Sequence, residues 1–127
     1  MRRLGFEESD LNSLLSKLIE HKKIIQVKSV FSHLSASESS EHDAFSQYQC
    51  NLFEKLTTKI EKKLGYNFLK HILNSGGIVR HNAYQMDMVR LGIGLYGFDS
   101  AEQIQHKLKN VSTLKTTVLK VKNINAD

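Results

Sequence analysis

Met86-Asp87-Met88-Val89-Arg90-Leu91-Gly92-Ile93-Gly94-Leu95-Tyr96-Gly97 is an apolar run carrying one arginine that opens into a turn with glycines at 92, 94 and 97. Glycine lets a backbone approach a ligand closely, and successive bare N–H groups can cradle an anion. Arg90 adds a rigid, permanently ionised fork of donors just before them. Taken alone this is a phosphate-site signal of modest specificity, because many buried strands end in glycine. It gains weight because other turns in the chain look built for the same place.

Upstream, Phe68 to Leu73 reads as a short apolar strand that ends at Asn74-Ser75-Gly76-Gly77. Further back, the β-branched pair Ile24-Ile25 and the alternating Val27 and Val30 predict a strand over Ile24 to His33, followed by the small-residue loop Leu34 to Ser40. Between these strands, Asp43 to Leu64 predicts a long helix with Phe45, Tyr48, Leu52, Phe53, Leu56 and Ile60 as its buried stripe and Gly65 as its C-terminal cap. Ser9 or Asp10 can cap an earlier helix carrying Leu11, Leu14, Leu15, Leu18 and Ile19 at helical spacing. A short helix is expected before Met86, another helical turn or two over Ala101 to Leu108, and a strand-like Thr113 to Ile124.

The order α-β-α-β-(α)-β-(α)-β predicts an α/β fold with parallel strands. Three strands end in loops of small or polar residues, at His33, Asn74 and Arg90. In parallel α/β folds those C-terminal ends share one face, where ligands bind. A complete (β/α)8 barrel takes about 250 residues, roughly double the 127 present. The expectation is therefore a partial TIM-type barrel, about half of one, with its start and end both missing.

Lys and Arg number 18 against 13 Asp and Glu, for a net charge of +5. The lysines at 55, 59, 62 and 63 are interleaved with Glu54 and Glu61, which reads as a solvated helix face rather than a nucleic-acid surface. Hydrophobic and charged shares of 40% and 24% are those of an ordinary globular domain with no membrane span. A single cysteine, Cys50, cannot form an internal disulfide and fits a reducing, cytoplasmic compartment. His42, His81 and His106 show no metal-ligand spacing with carboxylates or Cys50.

Four segments together resemble the alanine racemases, pyridoxal 5'-phosphate enzymes built from a barrel and a β-domain. They are Met1 to Phe6, Phe31-Ser32-His33-Leu34-Ser35-Ala36-Ser37, His71-Ile72-Leu73-Asn74-Ser75, and Arg90 through Gly97, in the family's order and at similar spacing. The closing Val111 to Thr116 resembles the crossover into that family's C-terminal β-domain. The resemblance implies that residues 1–112 are the second half of the barrel and 113–127 the start of the crossover. It implies that Arg3 lies near the substrate carboxylate and that His33 is hydrogen-bonded to the catalytic tyrosine. Asn74 and Ser75 would form the turn under the cofactor phosphate, and Gly92 and Ile93 would give it backbone N–H bonds. Arg90 would face the pyridine nitrogen, with His71 supporting it. The implied function is isomerisation of L-alanine and D-alanine for peptidoglycan synthesis, in a family that is homodimeric when intact.

Each residue also has a plainer reading. His33 and His71 can be strand-end polar residues bonded to backbone, Asn74-Ser75 a turn or helix cap, and Arg90 an ion-pair partner of Asp87 or Asp99. Gly92 and Gly94 can serve strand packing alone. Two departures from the family pattern matter. The Schiff-base lysine's Lys-Ala-Asn-Ala-Tyr-Gly setting does not occur in the sequence, and the opposing tyrosine belongs to the C-terminal domain of a partner subunit. The expectation is a fragment that is inactive alone. The alternatives are a non-catalytic pyridoxal-phosphate or phosphate-binding module and a structural remnant. Gly76-Gly77 where alanines are common is expected to be sterically mild, and the open strand edges are expected to drive self-association.

Overall fold

In a computed structural model, residues 4–123 are described. Arg3 and the residues from 124 onward therefore lie outside the described residues. A 3-10 turn at Glu8–Asp10, in which the Asp10 carboxylate accepts the Glu7 N–H at 2.8 Å, leads into helix α1, Leu11–Glu20. Strand β1 is Ser29–Phe31, helix α2 Asp43–Leu64, strand β2 Leu69–His71 and helix α3 Ser75–Arg80. Four more single turns of 3-10 helix stand at Ser40–His42, Asn82–Tyr84, Ile93–Tyr96 and Gln105–Lys107.

The two strands pair in parallel, with Ser29 opposite Leu69, Val30 opposite Lys70 and Phe31 opposite His71. A parallel pair needs a crossover, and α2 supplies it. The Leu69 N–H reaches the Lys28 carbonyl at 3.0 Å, and the Ser32 N–H reaches that of His71 at 3.2 Å. Backbone groups of neighbouring residues point to opposite edges of a strand. Accordingly Lys70 turns its carbonyl the other way, to the Asp87 N–H at 3.1 Å, and its own N–H meets the Asp87 carboxylate at 2.7 Å. Residues 86–90 thus run along the free edge of β2, tied again where the Arg90 N–H reaches the Leu73 carbonyl at 2.9 Å.

Two apolar clusters hold these elements, and α2 enters both. One joins Leu34, Cys50, Phe53, Ile72 and Leu73, and the other Leu11, Leu15, Ile60 and Phe68, with half-buried Val30 packed against each. Fully burying side chains of this size contributes about 1.5–3 kcal/mol apiece. Burial of Cys50 pushes its thiol up to about 11, so it behaves as a small apolar group. At the end of α2, Gly65 takes φ 78°, a left-handed cap that its missing Cβ permits.

The structure corrects several expectations. The buried stripe of α2 is Ser46, Cys50, Phe53, Thr57 and Ile60, whereas Phe45 and Tyr48 are exposed. At about 100° per residue, Phe45 and Tyr48 lie a quarter turn or more from that stripe. Two of the inward positions carry hydroxyls; that of Thr57 bonds back to the Phe53 carbonyl at 2.9 Å. The strand foreseen over 24–33 shrinks to Ser29–Phe31, because β2 offers only three residues to pair with. Residues 86–90 are extended without forming a regular ladder, and 113–123 show no strand, with Leu114 and Leu119 exposed. The turn foreseen over 101–108 is confined to Gln105–Lys107. At Gly77 the helix lies close to its neighbours: a Cβ there would stand 3.0 Å from Leu34 and 3.1 Å from Leu73.

Candidate functional site

Arg90 is the hub of the strand ends. Its Nη1 lies 2.7 Å from His71 Nδ1 and donates to the His71 carbonyl at 3.1 Å. Its Nη2 donates to the Ser32 carbonyl and lies 3.3 Å from His33 Nδ1. The Phe31 ring sits 5.1 Å from the guanidinium carbon and stacks on His71 with centroids 5.3 Å apart. One arginine thus joins the ends of β1, β2 and the 86–90 segment. Asp87 and Asp99, the ion-pair partners weighed for Arg90, are engaged otherwise. Asp87 binds the Lys70 N–H, and buried Asp99 binds the N–H groups of Ala101, Gln103 and Ile104.

The electrostatics follow from that contact. Burial first, and then the neighbouring Arg90 charge, hold His71 below its ordinary pKa of 6.5. An arginine is a donor only, so His71 Nδ1 must be the acceptor and the ring proton sits on Nε2. Burial also draws Arg90 down from its ordinary value, though a guanidinium stays ionised at neutral pH.

A second group of contacts stands two residues further along. The Ser75 hydroxyl oxygen accepts the N–H of Gly92 at 3.0 Å and that of Gly94 at 3.1 Å. Two backbone donors therefore converge on one oxygen atom, and a Cβ on Gly92 would stand 3.7 Å from it. Asn74, beside Ser75, is the N-cap of α3. Its Oδ1 accepts from Gly77 N at 3.0 Å and from the Ser37 hydroxyl at 2.6 Å, and its Nδ2 donates to the Leu34 carbonyl at 3.3 Å. The helix-cap reading of Asn74 is thus realised in the structure. Ile93 opens the next 3-10 turn and is half exposed.

His33, His71, Arg90, Ser75 and Gly92 are drawn to the C-terminal ends of neighbouring strands, while Arg3 lies outside the described residues. Reasoning on the sequence missed Gly94 as a donor, the Phe31 ring and the Ser32 carbonyl, which only the strand register places beside Arg90. Among the described residues there is no group of three or more His, Cys, Asp or Glu that could hold a metal ion, and no helix long and apolar enough to cross a membrane.

Comparison with known proteins gives a consistent answer. The sequence model of the alanine racemase N-terminal domain matches residues 1–100. Alanine racemase of Fusobacterium nucleatum is 36% identical over 132 residues, covering 100% of this chain and 34% of that protein. Alanine racemase 2 of Caldanaerobacter subterraneus is 31% identical, over 98% of this chain and 32% of that protein. Among solved structures, alanine racemase from Bartonella henselae with covalently bound pyridoxal phosphate aligns at TM-score 0.65 and 29% identity, over 87% of this chain and 29% of that one. The chain spans about a third of the length of the relatives it matches.

Proposed function

The chain belongs to the family of the alanine racemase N-terminal domain, and on that premise we propose that it forms the phosphate and pyridine side of a pyridoxal-phosphate site in a racemase interconverting L-alanine and D-alanine. The observation that carries the reading is the convergence of Arg90 on His71, Ser32 and His33 beside the Ser75 oxygen that gathers the Gly92 and Gly94 N–H groups. In this reading the chain is part of a (β/α)8 barrel of a cytoplasmic, homodimeric enzyme that supplies D-alanine for peptidoglycan.

The donor set fits the cofactor. A phosphate dianion needs several N–H and O–H donors at one point, and the Gly92 and Gly94 N–H groups already converge on the Ser75 hydroxyl oxygen. Ser75 would turn its hydroxyl toward the phosphate, and Gly92 and Ile93 would direct backbone N–H groups to it, with Asn74 fixing the turn beneath. Four of the five guanidinium N–H groups of Arg90 are accounted for by His71, Ser32 and His33. The fifth, on Nε, would be the donor toward the pyridine nitrogen.

When bound, pyridoxal phosphate supplies an electron sink that makes the substrate α-proton removable. Arg90 cannot accept a proton, so it leaves the pyridine nitrogen unprotonated and keeps that sink weak, which suits exchange of one proton and disfavours longer-lived side reactions. His71, held neutral, accepts from Arg90 and keeps the guanidinium plane aligned across the strand ends. His33 would orient the proton-transferring tyrosine, and Arg3 the substrate carboxylate. In this reading the cofactor-bearing lysine and that tyrosine would not come from these 127 residues.

The test is D-alanine formation by the purified chain with pyridoxal phosphate, alone and co-expressed with the flanking segments of a relative. Turnover is expected only in the complemented form, and Arg90→Ala should abolish it there. Turnover by the chain alone at the level of an intact racemase would contradict the reading.

A further inference from the structure

Beyond Phe31 the chain leaves the sheet, and its next three carbonyls are each taken by a side chain from a different element. Ser32 O accepts from Arg90 Nη2, His33 O from Gln49 Nε2 at 3.4 Å, and Leu34 O from Asn74 Nδ2 at 3.3 Å. Gln49 does more than close this series. Its Oε1 also accepts the Ser35 N–H at 3.2 Å. One amide on α2 therefore brackets the backbone on both sides of Leu34, which is buried. A primary amide carries a donor and an acceptor side by side, as a peptide group does. Gln49 thus stands in for a neighbouring strand along a stretch of chain that has left the ladder.

We propose that Gln49 is a positioning residue for His33. Resting on the racemase reading above, it fixes the 33–35 backbone so that the exposed imidazole stands against Arg90, at 3.3 Å from His33 Nδ1 to Arg90 Nη2. The anchor is firm because Gln49 precedes fully buried Cys50 on the inward side of α2. A loop fixed at one point pivots about it; a loop fixed at two adjacent points does not. Arg90 at Ser32 O and Asn74 at Leu34 O hold the segment on either side but leave the peptide after His33 without a side-chain partner of its own. The bond from Gln49 to His33 O supplies that partner.

The test uses nuclear magnetic resonance on the 127-residue chain without ligand, comparing the parent with Gln49→Ala and Gln49→Glu. In Gln49→Ala, Ser35 amide exchange should quicken by roughly tenfold, and magnetisation transfer between the His33 ring and the Arg90 side chain should be lost. Contact between His71 and Arg90 should persist, which a general loosening would not allow. Gln49→Glu keeps the acceptor for Ser35 and loses the donor to His33, so Ser35 should stay protected while the His33 signals move. Should the alanine variant fail to fold, the glutamate variant carries the test. An unchanged His33–Arg90 contact in the folded variants would overturn the proposal. Inorganic phosphate is then titrated into the parent chain and read at the Gly92 amide. Silence there would count against the racemase reading, and the ligand-free result at His33 would still decide the role of Gln49.

Discussion

At the scale of single residues, the ends of three strands depend on one guanidinium. Arg90→Ala leaves the Ser32 and His71 carbonyls without their side-chain donor and should destabilise the fold by about 1–3 kcal/mol. Arg90→Lys keeps the charge but not the fork and should recover only part of this, as read from the urea midpoint. His71 gives a pH signature. Its folded pKa lies below 6.5, so the unfolded chain takes up a proton before the folded one does. The stabilisation is therefore complete above pH 6.5 and is lost as pH falls from there through the folded value. His71→Gln should remove that part of the stability profile. A profile equally steep in the variant would show that another group is responsible. Arg90 is legible in the sequence because it stands directly before the glycines of the 92–97 turn, in register with the turns at 33 and 74. Gln49 is not: nothing local separates it from Gln47, and only the packing of α2 puts it beside the 33–35 loop.

At the scale of elements, α3 has six residues and cannot hold itself as a helix. Asn74 caps its start, and at its end Arg80 Nη2 grips both Asp43 oxygens, at 2.7 and 2.8 Å, on the first turn of α2. The hydrogen bond from Arg80 holds the Asp43 carboxyl below its ordinary range, so this tie should persist until the solution is strongly acid. Between the two ties, Gly76 and Gly77 let α3 lie against Leu34 and Ser37. Gly77→Ala would gain helix propensity but press on Leu34, Leu73 and the Asn74 carboxamide oxygen. A net loss of about 1 kcal/mol is expected, measured by thermal unfolding. The C-terminal end of α2 was readable in the sequence because Gly65 marks it, but the Asp10 side chain, a candidate cap for α1, bonds the Glu7 N–H instead of the helix. Strand lengths were not readable, because a strand extends only as far as its partner does, and no local pattern records the partner.

For the molecule as a whole, the β1–α2–β2 crossover follows from periodicity, and α2 joins both halves of the core. Leu73 is fully buried where β2 meets the site, and Leu73→Ala should cost about 2–5 kcal/mol. Several large apolar side chains are open to solvent: Phe31 and Leu69 on the strands, and Leu91, Leu95 and Tyr96 beyond them, are all about half exposed or more. Exposure of this kind favours association. Sedimentation is expected to show a concentration-dependent increase in mass, and Phe31→Ser should reduce it; a monomer at all concentrations would count against such association. The first two strands and the glycine turn were legible from the sequence, whereas the strand-like patterns at 86–90 and 113–123 form no ladder. The meeting of His33, His71 and Arg90 depends on strand register, which only the folded chain displays.

On the racemase reading, this face binds the phosphate and pyridine ends of pyridoxal phosphate. Calorimetric titration of pyridoxal phosphate into the chain, with Arg90→Ala and Ser75→Ala beside it, tests this, because the two variants separate the built site from adducts on surface lysines. Saturable binding in the parent chain, lost in both variants, is the expected result. No binding in the parent, or binding indifferent to both substitutions, would contradict the account.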